Sequence, residues 1–179
     1  MTVWILGFDL SLSAPGAAAV PIDWRPGDWK RVRTWLDKPD EVKNDDRVGQ
    51  MQRVLRIADW AEQIVHELGA RNVHAYREDY GYNQNNAFAS RIMESGGHVQ
   101  AALFKRFKLV VEPVRAVSAR KLFYGERKLQ QKDQKTHVQL ALFNEVKAPK
   151  KWDENEADAF IIANWGLSER SGKFLILKR

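Results

Sequence analysis

At 179 residues the chain is the size of one domain, and its 44% apolar and 29% charged residues are ordinary for a globular protein, which excludes a disordered or fibrous chain. The lack of cysteine removes disulfide scaffolds, thiolate zinc sites and cysteine nucleophiles together, leaving carboxylates and four histidines as metal ligands. A formal charge of +6 and a pI near 9.6 suit a polyanionic partner. No apolar run approaches the ~20 residues of a membrane span, and residues 1–10 carry no Lys or Arg, unlike a signal peptide. The expectation is a single domain over 1–179, cytoplasmic and without membrane contact.

Residues 2–8 form a nearly continuous apolar stretch, the pattern of a strand buried on both faces, and it stops at Asp9. A turn over 10–16 leads into a second short strand over 17–22, so the two make a hairpin. After a Pro26-Gly27 turn, residues 29–36 alternate, with Val32, Thr34 and Leu36 on one side and Arg31, Arg33 and Trp35 on the other, predicting a third strand with one exposed face. Val48, Met51, Leu55, Ala58, Ala61, Val65 and Leu68 then recur at helical spacing. Asn44, Asp45 or Asp46 caps that helix, and Gly69 ends it.

A strand over 72–78 follows, then a polar loop over 79–85 and a helix over 87–107, in which Gly96 and Gly97 mark close packing or a kink. Residues 109–114 read as a strand and 115–132 as a basic, polar segment. Helices are expected over 134–146 and 154–165, before an apolar then basic tail. The pattern is α/β: a mixed five-stranded sheet, three strands in antiparallel hairpins and then two more, flanked by helices.

Three carboxylates lie where a core would not place them. Asp9 and Glu78 each close an apolar strand, and Asp158 sits inside Ala157-Asp158-Ala159-Phe160-Ile161. Each alone reads equally well as a turn Asp, a salt-bridged Glu or an Asp at a polar helix edge. Together they point to one place, because sites in open sheets form at the carboxyl ends of adjacent strands. Three hard oxygen ligands match Mg²⁺ or Mn²⁺, and in a basic protein they suggest metal-assisted hydrolysis of a phosphodiester.

Ile5-Leu6-Gly7-Phe8-Asp9-Leu10-Ser11 with Gly16, Glu78 after a strand, and Glu156-Ala157-Asp158-Ala159 in a late helix together resemble the RuvC-like Holliday junction resolvases of the ribonuclease H-like superfamily, in their compact bacteriophage form. Lys132-Asp133-Gln134-Lys135 resembles that family's lysine region. The resemblance implies two divalent ions per active site, Mg²⁺ or Mn²⁺. It makes Asp9 the bridging ligand, gives Glu78 and Asp158 one ion each, and assigns Lys135 to the phosphate's developing charge. The family's further acid, three residues before the last Asp, is Asn155 here. Either Asn155, through its carbonyl oxygen, or Glu154, four residues before Asp158 on the same helical face, is the candidate fourth ligand.

Tyr80 and Tyr82 are candidates for stacking on unpaired bases, and ordinary loop packing accounts for them equally. Arg115, Arg120, Lys121, Arg127, Lys128 and Lys132, with Lys135, are the candidate phosphate path, although a charge run is commonly a solvated face. His66, His74, His98 and His137 have no metal-binding spacing. The implied function is a structure-selective endodeoxyribonuclease that resolves four-way junctions by paired nicks. It acts as a homodimer on branched DNA in a bacterial or phage-infected cell and needs no small-molecule cofactor. The alternatives are a nuclease for RNA:DNA hybrid or other branched DNA, and a non-catalytic DNA-binding or nucleotide-binding member of the superfamily.

Overall fold

The structure is a computed structural model describing residues 2–38, 47–79, 87–125, 134–148 and 152–177, with the backbone alone for 87–92 and 134–136. Its strands are β1 (Trp4–Asp9), β2 (Gly16–Pro21), β3 (Arg33–Leu36), β4 (Val73–Asp79) and β5 (Val111–Arg115). They form one mixed sheet in the order β3-β2-β1-β4-β5. The hairpin pairs β1–β2 and β2–β3 are antiparallel, and β1–β4 and β4–β5 are parallel. The helices are α1 (Arg47–Leu68), α2 (Ala87–Phe107), α3 (Ala116–Tyr124), α4 (Gln134–Asn144) and α5 (Glu154–Ser171).

Strand alternation divides the core in two. Trp4, Leu6, Phe8, Ala17, Ala19, Val73 and Ala75 pack with α1 and α2 residues such as Ile57, Ala61, Ile64, Val99 and Leu103. Ile5, Ala18, Val20, Tyr76 and Val114 pack on the other face with α3, α4 and α5. Both faces of β1 are covered, which is why its sequence is unbroken apolar rather than alternating. No helix among the described residues is long and apolar enough to cross a membrane.

α5 lies directly on β1 and β2. A Cβ at Gly7 would collide with the Ala159 carbonyl oxygen and the Ala163 nitrogen, and one at Gly16 with the Asn155 carbonyl. Glycine at these two positions therefore sets the helix-to-sheet distance. The start of α5 is fixed by a capping box in which Asn155 N donates to Asp153 Oδ1 (3.0 Å) and Asp153 N donates to Glu156 Oε2 (2.9 Å). Trp24, Trp29, Trp152 and Phe160 clasp the same end, with ring centroids 5.2–5.9 Å apart.

Several elements differ from the sequence reading. The third strand begins at Arg33, because Trp29–Arg31 form a 3-10 turn that buries Trp29, whose Nε1 donates to the Val146 carbonyl at 3.2 Å. In α1 the buried residues are Gly49, Val54, Ile57, Ala58, Ala61, Ile64, Val65 and Leu68, while Val48, Met51 and Leu55 are exposed, since at about 100° per residue they fall on the side of the helix turned away from Ile57, Ala61, Ile64 and Leu68. Part of the basic segment is the helix α3. α5 continues past 165 to Ser171, because Gly166 packs against the Tyr76 ring and the stop is Gly172, in the left-handed conformation. Gly69 follows α1 with φ 79° as expected, and Gly96 lies against the Arg77 guanidinium. The proposed caps Asn44, Asp45 and Asp46 lie outside the described residues.

Candidate active site

Asp9 is the last residue of β1 and Glu78 the last but one of β4. The strands are parallel neighbours with Phe8 opposite Arg77, so the next pair in register is Asp9 with Glu78. Both follow the parity of Ile5, Gly7 and Tyr76, which faces α5. The β4 backbone is held here by Arg77, whose Nη1 donates to the Glu78 carbonyl at 3.0 Å. With positions 155, 159 and 163 of α5 pressed on the strands, Asp158 turns toward α3. There it lines a narrow crevice with Glu78, Ala116, Ala119, Arg120, Ile161 and Ile162, with no room for a water molecule.

The charge facing these acids comes from Arg120. Its Nη2 donates to Asp158 Oδ2 at 2.7 Å and its Nε approaches Oδ1 at 3.4 Å, with the two side chains 13% and 4% exposed. Burial alone works against a charged guanidinium. Asp158 first, then Glu78 and Asp9, more than offset that and hold the Arg120 pKa above its ordinary value. Asp9 is fully buried, and an isolated carboxylate in that position would be costly. All three acids thus act on a single buried cation.

The donors are hard carboxylates, the right chemistry for a divalent ion. Their arrangement in this structure does not fit one. Among the described residues no three His, Cys, Asp or Glu side chains are grouped closely enough to hold a metal, and Asp158 is committed to Arg120.

The other predicted residues divide by position. Arg115 and Lys121 are exposed at the end of β5 and on α3, whereas Arg120, expected on the same phosphate path, turns inward. Neither Asn155 nor Glu154 lines the crevice. Tyr80, Tyr82, Arg127, Lys128 and Lys132 lie outside the described residues, as does the side chain of Lys135. Sequence reasoning missed the inward role of Arg120, yet a signal was present. Ala116, Ala119 and Phe123 recur at helical spacing, and Arg120 falls on that face.

Two solved structures of Thermus thermophilus RuvC are similar to this chain along nearly its whole length. RuvC in complex with a Holliday junction substrate matches with a TM-score of 0.65 and 16% identity, over 95% of this chain and 96% of that one. A second RuvC structure matches with a TM-score of 0.61 and 18% identity, over 97% and 98%. The fold is that of RuvC. It is the ribonuclease H-like mixed sheet flanked by helices, and at these identities the likeness is one of fold. No protein-family model matches the chain, and no curated protein sequence does.

Proposed function

We propose that the protein is a single-domain, structure-selective endodeoxyribonuclease that resolves four-way DNA junctions by metal-dependent phosphodiester hydrolysis. The observations that support this reading are Asp9 and Glu78 near the carboxyl ends of two parallel strands, and Asp158 of α5 sharing a crevice with Glu78, on the fold of a protein captured with a Holliday junction. A net charge of +6 with exposed Arg115 and Lys121 beside the crevice supports a polyanionic partner. Asp9, Glu78 and Asp158 are the proposed ligands of two Mg²⁺ or Mn²⁺ ions, with Asn155 or Glu154 as a fourth. Such ions supply an activated water and charge neutralisation at phosphorus. Lys135 is proposed to face the phosphate, and Tyr80 and Tyr82 the unpaired bases, with Arg127, Lys128 and Lys132 along the backbone path. Symmetric nicking of two strands calls for a homodimer, and the working compartment is the cytoplasm of a bacterium or of a phage-infected cell.

The test is nicking of a synthetic four-way junction, a fork and an RNA:DNA hybrid with Mg²⁺ or Mn²⁺, with chelator as the control. Preferential, chelator-sensitive cutting of the junction is expected. Asp9→Asn, Glu78→Gln and Asp158→Asn should each abolish it while junction binding survives and still weakens steeply with salt. Near-native nicking by two of these variants, equally folded, would sink the site, and preference for the hybrid would change the substrate.

A further inference from the structure

We infer that β3, the open edge of the sheet, is the dimer interface, pairing antiparallel with β3 of a second copy about a two-fold axis at Trp35. The inference deepens the junction-nuclease reading and rests on its homodimer. It starts from the phase of the hydrogen bonds. Asp37 N donates to the Pro15 carbonyl at 3.0 Å, and Leu36 lies opposite Gly16 in an antiparallel register. Pairing alternates along such a ladder, so Asp37, Trp35 and Arg33 turn their backbone groups toward β2, while Leu36 and Thr34 turn theirs away from it. Among the described residues those outward N–H and C=O groups meet no partner. The opposite edge of the sheet is sealed. On β5 the Val111 N–H is taken by Gln100 Oε1 at 2.9 Å, and Pro113, two residues on, has no N–H to offer. A sheet with one open edge joins a copy of itself at that edge, and the assembly stops at two.

The side chains favour a second copy as the occupant. With the axis at Trp35, Thr34 and Leu36 exchange hydrogen bonds with the partner's Leu36 and the partner's Thr34, which satisfies both N–H and both C=O groups on each strand. Trp35 faces the partner's Trp35 as a non-hydrogen-bonded pair, the closer kind, with Cα atoms about 4.5 Å apart. In the single chain Trp35 is only part-buried, at the margin of the core shared with α1. Arg33 comes opposite the partner's Asp37. Arg33 is exposed, its guanidinium 5.0 Å from the centroid of the Trp4 ring and on no carboxylate among the described residues, whereas Asp37 is pinned at the strand end by Arg56 at 3.1 Å. One register thus completes the ladder, pairs two aromatics and sets unlike charges together. Centring the axis on Thr34 or Leu36 instead breaks both the Trp35 pair and the Arg33–Asp37 pair.

The measurement is disulfide trapping in the full chain, which has no cysteine of its own. Trp35→Cys sets two thiols within the Cα separation of about 4.4–6.8 Å that a disulfide spans, whereas Thr34→Cys faces the partner's Leu36. Mild oxidation of folded protein should convert Trp35→Cys to a covalent dimer and leave Thr34→Cys monomeric. No covalent dimer from folded Trp35→Cys, or equal trapping of both variants, would overturn the inference. A second measurement keeps Trp35. A strand this short buries less than the ~1,200 Å² of a standard interface, so sedimentation of the unmodified chain should show a dimer that dissociates on dilution. Thr34→Pro removes only an outward N–H and should weaken that dimer about tenfold. A dimer unchanged in Thr34→Pro, or a monomer at every concentration, would also overturn the proposal. A chain that cuts junctions while giving neither expected result loses the interface and keeps the nuclease reading; a trapped dimer that cuts no junction does the reverse.

Discussion

The two ends of α5 carry the same pair of side-chain types in opposite settings. Near the N-terminal end Asp158 meets Arg120 in a crevice, 4% and 13% exposed; near the C-terminal end Arg170 meets Glu112 on the surface, 38% and 49% exposed. Arg170 also donates to the Tyr76 hydroxyl at 2.8 Å, so its charge is tied down yet remains in water's reach. The contrast separates geometry from energy. The two Arg–carboxylate contacts differ because water can replace a lost partner at one end and cannot at the other.

The largest test of that contrast is Arg120→Leu. Without divalent ions it should cost about 3–5 kcal/mol in urea unfolding, since it strands buried carboxylates. Arg170→Leu should cost about 1–2 kcal/mol, mainly through the Tyr76 hydrogen bond. Equal costs would erase the distinction. Next is Gly7→Ala, which pushes a methyl group into α5 at the acidic end and should lose about 3 kcal/mol by overpacking. Gly97→Ala, in an exposed helical position with nothing within 4 Å, should instead gain about 0.5–1 kcal/mol. Glu112→Ala should cost under about 1 kcal/mol, and less in high salt.

The smallest effect concerns pH at the far end. Burial, then the nearby Arg170 charge, lower the pKa of His74, with Glu112 acting against them. The unfolded chain therefore takes up a proton near pH ~6.5 that the folded chain still resists. Stability should fall as pH drops through that value toward the lower folded pKa, and His74→Gln should flatten the slope. Thermal melts from pH 5 to 8 would show it, and an unchanged slope would remove His74 as the source.

Much of the molecule was legible because periodicity reports burial. The apolar run of β1, the placement of Asp9 and Glu78 at strand ends and Asp158 among alanines and isoleucines all follow from the sequence pattern. What hid was anything depending on a partner distant in sequence. Arg120 looked like one more cation in a basic run, because a guanidinium is read as solvated until Asp158, 38 residues away, is seen beside it. Val48, Met51 and Leu55 satisfied the helical spacing yet face outward, for spacing shows that an apolar stripe exists and not which side of the helix its neighbours cover. The C-terminal tail hid a clamp of the same kind: Asn164 accepts from Leu175 N at 2.7 Å and donates to its carbonyl at 3.0 Å.

Gly7 and Gly16 bring a consequence for how such a chain can vary. Every single substitution of glycine adds at least a Cβ, and at these positions that atom meets helix backbone, which cannot rotate aside as a side chain can. In a saturation library screened for folded protein alone, both positions should tolerate almost nothing. Asp9 and Glu78 should admit neutral replacements of similar shape in the same screen. A map of tolerated residues would thus show two silent positions ranked above the acids, marking where the helix rests rather than where chemistry occurs.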